Sequence, residues 1–137
     1  METNRNVTLI IFPDAVPELF ISTLKRYPER SNVALCVPEW TMEHTLDQEG
    51  FHQIFVFSFQ DGMQYTDWIS KAITKVIIYE TSFIGCCMAI DMVRSCYTLP
   101  VVVLKSDSRY LSRIYKDLGA DFVIHNKNGN IQYLLTS

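Results

Sequence analysis

The most constraining feature of this sequence is a helix-like segment enclosed by two short segments that are apolar throughout. Residues 76 to 79 and residues 101 to 104 are rich in β-branched side chains, and both are shorter than an ordinary helix. A strand inside a parallel sheet is covered on both faces, so its sequence is a continuous apolar run. Between the two runs, apolar residues recur every three or four positions, at Cys86, Ala89, Ile90 and Val93. The pattern therefore predicts a parallel βαβ unit.

Four further segments have the composition of strands, at residues 7 to 12, 32 to 37, 53 to 59 and 122 to 125. Segments with helical periodicity alternate with them, at residues 14 to 27, 67 to 73, 85 to 96 and 108 to 118, with the start of another at 131. In the helix at 108 to 118 the predicted core positions are Leu111, Ile114, Tyr115 and Leu118. Alternating strands and helices indicate an α/β fold with three layers and a mainly parallel, doubly wound sheet of about five to six strands.

Composition narrows the class of protein. The 137 residues, 48% of them hydrophobic, fit one domain spanning residues 1 to 137, and the short final segment favours a chain that continues beyond Ser137. The net charge of -3 arises from scattered charges, so we expect no direct nucleic-acid binding. No apolar run approaches the roughly 20 residues of a membrane span. The first six residues do not resemble a signal peptide, so a cytoplasmic location is expected.

The four cysteines are predicted to be reduced thiols, because Cys36, Cys86, Cys87 and Cys96 form no CxxC pair and three of them lie in apolar periodic runs. A cysteine hydrolase is one hypothesis, with Cys86 or Cys87 as nucleophile where a strand passes into a helix. Its base would have to be His44, His52 or His125. Core packing is the favoured role for both thiols. The five glycines form no dinucleotide fingerprint or P-loop and no zinc-ligand spacing occurs, so neither cofactor nor metal is expected.

Glu80 is the most informative polar residue, because it directly follows the apolar run at residues 76 to 79. In a doubly wound sheet, ligands bind at the carboxyl ends of the strands. We therefore expect Glu80 to lie at the centre of a functional site.

From residue 76 to about residue 135 the sequence resembles the receiver domains of bacterial response regulators. Val-Ile-Ile-Tyr-Glu at residues 76 to 80 is similar to the strand that carries the phospho-accepting aspartate. Pro-Val-Val-Val-Leu at 100 to 104 is similar to the next strand, and Gly-Ala-Asp-Phe-Val at 119 to 123 to the turn before the last strand. The resemblance implies a flavodoxin-like, receiver-like version of the fold. The segment from residue 53 to residue 73 is an extra βα unit relative to a receiver.

Receiver chemistry requires an aspartate, an acidic pair for Mg²⁺, a hydroxyl and a lysine, and each is altered here. Phe12 and Pro13 replace the acidic pair, and Mg²⁺ needs well-placed carboxylates, so phosphoryl transfer is not expected. We hypothesise that Glu80 imitates the charge of an acyl phosphate and pairs with Lys105; the alternative is that Glu80 only caps the next helix. The resemblance assigns a degenerate switch site to Asp14, Glu80, Lys105, Ser106, Asn126 and Lys127.

The resemblance to a receiver with an altered switch site implies a signalling module that is not an enzyme and cannot be phosphorylated. Such a module would mediate protein-protein interaction or homodimerisation in transcriptional regulation. Many receivers pair through the corresponding helix and strand. The predicted interface residues are Arg109, Tyr110, Arg113, Lys116 and Asp117.

Residues 67 to 104 are also similar to nucleoside 2-deoxyribosyltransferases and TIR-type domains, which bind a nucleotide at this strand edge. Those enzymes need a glutamate on the helix after the serine, which here is Ser82. Met88 stands nearest to that position and Asp91 is displaced from it. A thioether cannot act as the nucleophile, so this alternative predicts a nucleotide-binding domain without the activity.

Overall fold

The computed structural model describes residues 7–14, 16, 20–22, 33–37, 54–56, 73–96, 98–105 and 112–125. The described strands are β1 (Val7–Ile11), β2 (Val33–Val37), β3 (Ile54–Val56), β4 (Ile73–Tyr79), β5 (Val101–Lys105) and β6 (Phe122–His125). The described helices are α1 (Phe83–Cys96), between β4 and β5, and α2 (Ser112–Leu118), between β5 and β6. Residues 20–22 are also helical.

The described strands form one sheet in the order β3-β2-β1-β4-β5-β6, and every neighbouring pair is parallel. Every residue of β1, β2 and β5 is buried, as expected for strands covered on both faces. The predicted fold class, a doubly wound parallel α/β sheet, is therefore confirmed.

The order of the strands differs from that of a receiver. Flavodoxin-like domains, to which receivers belong, have the order 2-1-3-4-5, whereas 3-2-1-4-5-6 is the order of the Rossmann fold. The difference lies in β3, which pairs with β2 at the outer edge of the sheet. Without β3 the remaining strands would have the receiver order, so the extra βα unit noted in the sequence accounts for the disagreement.

Two apolar clusters cover the two faces of the sheet. On one face, Cys86 and Ile90 of α1 and Tyr115 of α2 pack against alternate strand residues such as Val76 and Val103. On the other face, Phe20 from the helical residues 20–22 packs against Phe12 and Ile77. The sheet therefore has helical residues on both faces, as the three-layer prediction requires.

Arg94 of α1 joins the helix to the segments that directly precede β5 and β6. Its Nε and Nη1 atoms each donate a 2.8 Å hydrogen bond, to the carbonyls of Gly119 and Leu99 respectively. Its Nη2 atom lies 2.5 Å from Asp121 Oδ2, which also accepts a 2.8 Å bond from the backbone N–H of Val101. Gly119 has a φ of 127°, and a Cβ there would lie 2.8 Å from Arg94 Cγ. Gly119 thus serves both as the helix stop and as the space that Arg94 requires.

Several expectations need correction. Strand β4 begins at Ile73, which periodicity had placed in a preceding helix. In α2 only Tyr115 is buried, whereas Ile114 and Leu118 are each 42% exposed. The helical spacing therefore overstated the covered face of α2. Leu111 lies outside the described residues. Cys36, Cys86 and Cys87 carry free thiols, as predicted.

Candidate functional site

The topological switch point of this sheet lies between β1 and β4, because the chain winds outward from these two strands in opposite directions. At their carboxyl ends the chain continues into residues 12–14 after β1 and residues 80–82 after β4. The prediction that Glu80 stands at the carboxyl end of a central parallel strand is confirmed, and its N–H donates to the Leu104 carbonyl at 2.9 Å. The candidate site is built from these two segments and the elements next to them.

Asp14 links the segment after β1 to the segment after β4 by hydrogen bonds. Its Oδ2 atom accepts hydrogen bonds from Thr81 Oγ1 at 2.8 Å and from Ser82 Oγ at 2.7 Å. The Ser82 hydroxyl in turn accepts the N–H of Gly85 at 3.0 Å, which makes Ser82 the N-cap of α1. A Cβ at Gly85 would lie 2.7 Å from Asp14 Oδ2. The carboxylate of Asp14 therefore occupies the N-terminal end of α1, where an anion is electrostatically favoured.

The loop after β1 does not offer the cradle that a dinucleotide uses. In Rossmann domains a glycine-rich turn after the first strand lets the backbone approach the pyrophosphate. Here Phe12 and Pro13 are buried, and Phe12 stacks edge-on against Phe20, with 4.7 Å between ring centroids. The absence of acidic residues at Phe12 and Pro13 thus reflects core packing. The residues present do not fit NAD bound in the usual way across β1.

Four side chains form what we call the edge cluster: Glu80, which directly follows β4, Cys86 of α1, Lys105 of β5 and Tyr115 of α2. The Tyr115 hydroxyl donates a short hydrogen bond to Glu80 Oε2. Burial raises the pKa of Tyr115, and the bond to Glu80 raises it further. Tyr115 also contacts Phe83 at the start of α1, with 5.9 Å between ring centroids. Glu80 is therefore held by α2.

Lys105 is the unusual member of the edge cluster. It is fully buried, at 0% exposure, and among the described residues its Nζ atom has no hydrogen-bond partner. Nζ lies 5.8 Å from the centroid of the Tyr115 ring. The hypothesised Glu80–Lys105 ion pair is not formed, and Glu80 Oε2 accepts the Tyr115 hydroxyl instead.

The Cys86 thiol is protonated at neutral pH. Burial raises its pKa to about 12, and although its hydrogen bond with Tyr115 acts in the opposite direction, the Glu80 charge adds to the rise. An activated nucleophile needs a lowered pKa and access to solvent. Cys86 has neither, and burial also raises the pKa of the half-buried Cys87, so neither thiol is activated as a nucleophile in this structure.

The raised pKa of Cys86 predicts a loss of stability at alkaline pH. The folded state disfavours the Cys86 thiolate, whereas the unfolded chain can form it near the ordinary thiol pKa of 9. The stability that protonated Cys86 contributes is therefore complete below pH 9 and is lost as the pH rises towards about 12. We expect Cys86→Ala to reduce the slope of unfolding free energy against pH in this window, measured by urea titration. The slope should not vanish, because burial also raises the pKa values of Cys36 and Tyr115. An unchanged slope in Cys86→Ala would contradict the prediction.

The structure separates the residues that the sequence assigned to one switch site. Asp14 and Glu80 stand at the switch point and Lys105 at the neighbouring strand, whereas Ser106, Asn126 and Lys127 lie outside the described residues. Of the predicted interface, Arg113, Lys116 and Asp117 are exposed on α2, and Arg109 and Tyr110 lie outside the described residues. The histidines His44 and His52 also lie outside, and His125 is exposed at the end of β6. Met88 and Asp91 are exposed on α1.

Thr81 was missed in the sequence, as were the site roles of Ser82 and Tyr115, which had been singled out only for the nucleotide-binding alternative and for the core. Thr81 and Ser82 could have been found, because hydroxyl residues between a strand and a helix are typical N-caps. Tyr115 was assigned to the core from its spacing, and it is buried as predicted. No local signal indicated that its hydroxyl would reach Glu80, which lies 35 positions earlier in the chain.

Comparison with known proteins supports the fold. No model of a protein family matches the chain, and no curated protein sequence does. Two solved structures resemble it over 90% of its length, the RCK domain of GsuK with a TM-score of 0.56 and the GsuK channel bound to NAD with a TM-score of 0.57. The identity is 17% in both, so the similarity shows the fold alone. This chain spans 27% of the first solved chain and 22% of the second, about a quarter of their length.

The resemblance to receiver domains is therefore wrong, as are the response-regulator and transcription roles that it implied. The two solved structures named above are an RCK domain and a channel bound to NAD, and the strand order agrees with a Rossmann-like sheet. The comparisons likewise give no support to the deoxyribosyltransferase and TIR-type alternative. The short motifs on which the receiver prediction rested are not specific to receivers. An acid after a strand and a Gly-Ala-Asp turn are compatible with any doubly wound sheet.

Two negative findings apply to the part of the chain that the structure describes. Neither α1 nor α2 is long and apolar enough to cross a membrane. Within the same residues, no group of three or more histidine, cysteine, aspartate or glutamate side chains could hold a metal ion.

Proposed function

We propose that this chain is a cytoplasmic regulatory domain that binds a small ligand at the carboxyl ends of β4 and β5. The observation that carries the proposal is the position of Glu80 beside the switch point, held there by Tyr115 from a different element. In doubly wound sheets, ligands bind outside the carboxyl ends of strands at such a point. A carboxylate fixed by a buried tyrosine is preorganised to accept hydrogen bonds from a ligand.

The solved neighbours support a regulatory role. RCK stands for regulator of K⁺ conductance, and one neighbouring structure is a channel bound to NAD. A Rossmann sheet consists of two halves, each suited to a mononucleotide. Phe12, Pro13 and Asp14 directly follow β1 and occupy the place where the first half would bind its ligand. We therefore propose that the ligand occupies the second half, which contains β4, β5 and β6. A ligand the size of a mononucleotide fits this proposal better than a whole dinucleotide.

We propose binding without catalysis. A catalytic site needs groups whose pKa values suit proton transfer or nucleophilic attack near neutral pH. Burial instead raises the pKa values of Cys86 and Tyr115, which keeps both groups protonated. A group that stays protonated at neutral pH does not accept a proton from a ligand.

Ligand binding is tested by unfolding the protein in the presence of AMP, ADP, NAD and adenosine in turn. A ligand that binds only the folded state adds about 2.7 kcal/mol to the unfolding free energy at 100 times its dissociation constant. We expect a rise with at least one phosphate-bearing compound and a smaller rise in Glu80→Gln. The matched control is Asp117→Asn, an exposed acid on α2, which should respond as the parent does. No response to any compound would refute the proposed function.

We also propose that the domain self-associates through α2 and β6. Leu118 is 42% exposed, one helical turn after the similarly exposed Ile114, and Phe122 is 58% exposed on β6 at the edge of the described sheet. Apolar side chains at an unprotected sheet edge favour association with another chain. Light scattering should show a mass that rises with concentration, and Phe122→Lys should lower it. A monomeric mass at every concentration would contradict this.

A further inference from the structure

We infer that Lys105 is the recognition group of an anion subsite, which takes a phosphate or carboxylate group of the ligand. The inference rests on the proposed function. It adds that the ligand carries a negative charge and that Lys105 binds the charged group. Its starting observation is a fully buried ammonium without a hydrogen-bond partner among the described residues.

An ammonium in this state is costly. Buried polar atoms almost always have a hydrogen-bond partner, and a buried charge without a counter-ion costs far more than a neutral group. Nζ lies over the Tyr115 ring, whose centroid is 5.8 Å away. A cation–π contact is at best a partial compensation, because the ring provides a quadrupole and no net charge. The charge of Lys105 therefore calls for an anion.

The edge cluster does not supply that anion. Glu80 is the acid of the cluster, but its Oε2 atom accepts the Tyr115 hydroxyl, and no described residue forms a hydrogen bond with Lys105 Nζ. Cys86 carries no charge at neutral pH, because burial raises its pKa to about 12. Asp14 is engaged with Thr81 and Ser82.

The direction of the Lys105 side chain follows from the alternation along β5. Val103 belongs to the apolar cluster on the face of α1 and α2, so Lys105, two residues later, faces the same side. Lys105 pairs in register with His125 of β6, and Glu80 donates its N–H to Leu104, so Lys105 ends its strand beside the Glu80 segment. The ammonium thus lies at the carboxyl edge, where the proposed ligand binds.

The usual anion site of such folds is already filled. A helix N-terminus often binds a phosphate, but the first turn of α1 is capped by Ser82 and approached by the Asp14 carboxylate. A second anion there would meet like charge. Among the described groups near the switch point, Lys105 is therefore the cation that can bind an anionic ligand. The hydrogen bond from Tyr115 to Glu80 uses only the Oε2 atom of the carboxylate. Oε1 could accept a ligand hydroxyl, such as one of a ribose.

Calorimetric titration of four proteins separates this inference from the proposed function. The proteins are the parent, Lys105→Met, Lys105→Arg and the control Lys116→Met, which removes an exposed lysine of α2. The probes are AMP, adenosine and inorganic phosphate. Removing one partner of a buried ion pair typically costs 2–5 kcal/mol, so Lys105→Met should weaken AMP binding about 30-fold or more. Lys105→Arg should retain part of the affinity, and Lys116→Met all of it.

Each outcome decides a specific point. If AMP binds the parent and Lys105→Met equally, the Lys105 inference is wrong and the proposed function stands. If adenosine binds all four proteins with the same affinity while Lys105→Met weakens the binding of AMP, Lys105 binds the phosphate group. If inorganic phosphate alone binds and Lys105→Met abolishes it, the anion subsite exists but the ligand is not a nucleotide. If no probe binds the parent at millimolar concentration, both proposals fail. Circular dichroism of each variant confirms that it is folded.

Discussion

Lys105→Met is expected to raise the unfolding free energy of the ligand-free protein by about 1–4 kcal/mol. Most substitutions of buried residues destabilise a protein, but here the side chain is a fully buried cation without a hydrogen-bond partner among the described residues. Replacing buried charged groups with apolar side chains of similar volume is often stabilising by this amount. Methionine is unbranched and fills a similar space, so little cavity is created.

The measurement is urea unfolding monitored by circular dichroism at neutral pH without ligand. Lys116→Met is the matched control, because Lys116 is exposed on α2 and should change the unfolding free energy by at most about 0.5 kcal/mol. A loss of more than about 1 kcal/mol in Lys105→Met would show that the ammonium has a partner in solution. Together with the binding data, a more stable protein that binds AMP less well would identify Lys105 as a residue retained for function at a cost in stability.

Tyr115→Ala is expected to lower the unfolding free energy by about 3–5 kcal/mol, the usual range for removing a buried aromatic side chain. Tyr115 is fully buried between α1 and the sheet, and it contacts Phe83 and the Glu80 carboxylate. Tyr115→Phe keeps the ring and removes only the hydroxyl. Because Glu80 can then hydrate in part, we expect a smaller loss of about 1–2 kcal/mol.

The difference between the two variants separates ring packing from the hydrogen bond. Ile114→Ala, one residue earlier in α2 and 42% exposed, is the control for helix propensity and should cost about 1 kcal/mol or less. Tyr115→Phe should also weaken ligand binding, since Glu80 would no longer be held at the switch point. Equal losses in Tyr115→Ala and Tyr115→Phe would show that the hydroxyl dominates and that the ring contributes little, contrary to the packing described here.

Strands β1, β2 and β5 could be predicted from the sequence because they are buried on both faces, which makes their composition apolar throughout. Each differs from its predicted bounds by one residue at one end, and β6 has the predicted bounds. The buried face of α1 was also predicted from its spacing, because Cys86, Ala89, Ile90 and Val93 are all buried. The start of β4 was missed, because Ile73 fits a helical stripe as well as it fits a strand.

The candidate site could be predicted only in part. An acid after an apolar strand indicates the carboxyl edge, so Glu80 was identified. Its partner was wrongly predicted, because an ion pair with Lys105 is chemically reasonable and nothing in the sequence shows that Tyr115, from a later helix, takes the carboxylate instead. Asp14 was recognised as a displaced acid of a receiver site, but its role as a clamp on Thr81 and Ser82 depends on contacts across 67 and 68 positions.

The sequence by itself determined that this chain forms a parallel α/β sheet with Glu80 at its carboxyl edge, because side-chain periodicity records which faces of each element are apolar. The tertiary structure decided that β3 lies outside β2, that Tyr115 holds Glu80 and that Lys105 Nζ has no hydrogen-bond partner among the described residues. These features depend on which strands become neighbours and which side chains meet across them. Periodicity along the chain carries no record of either.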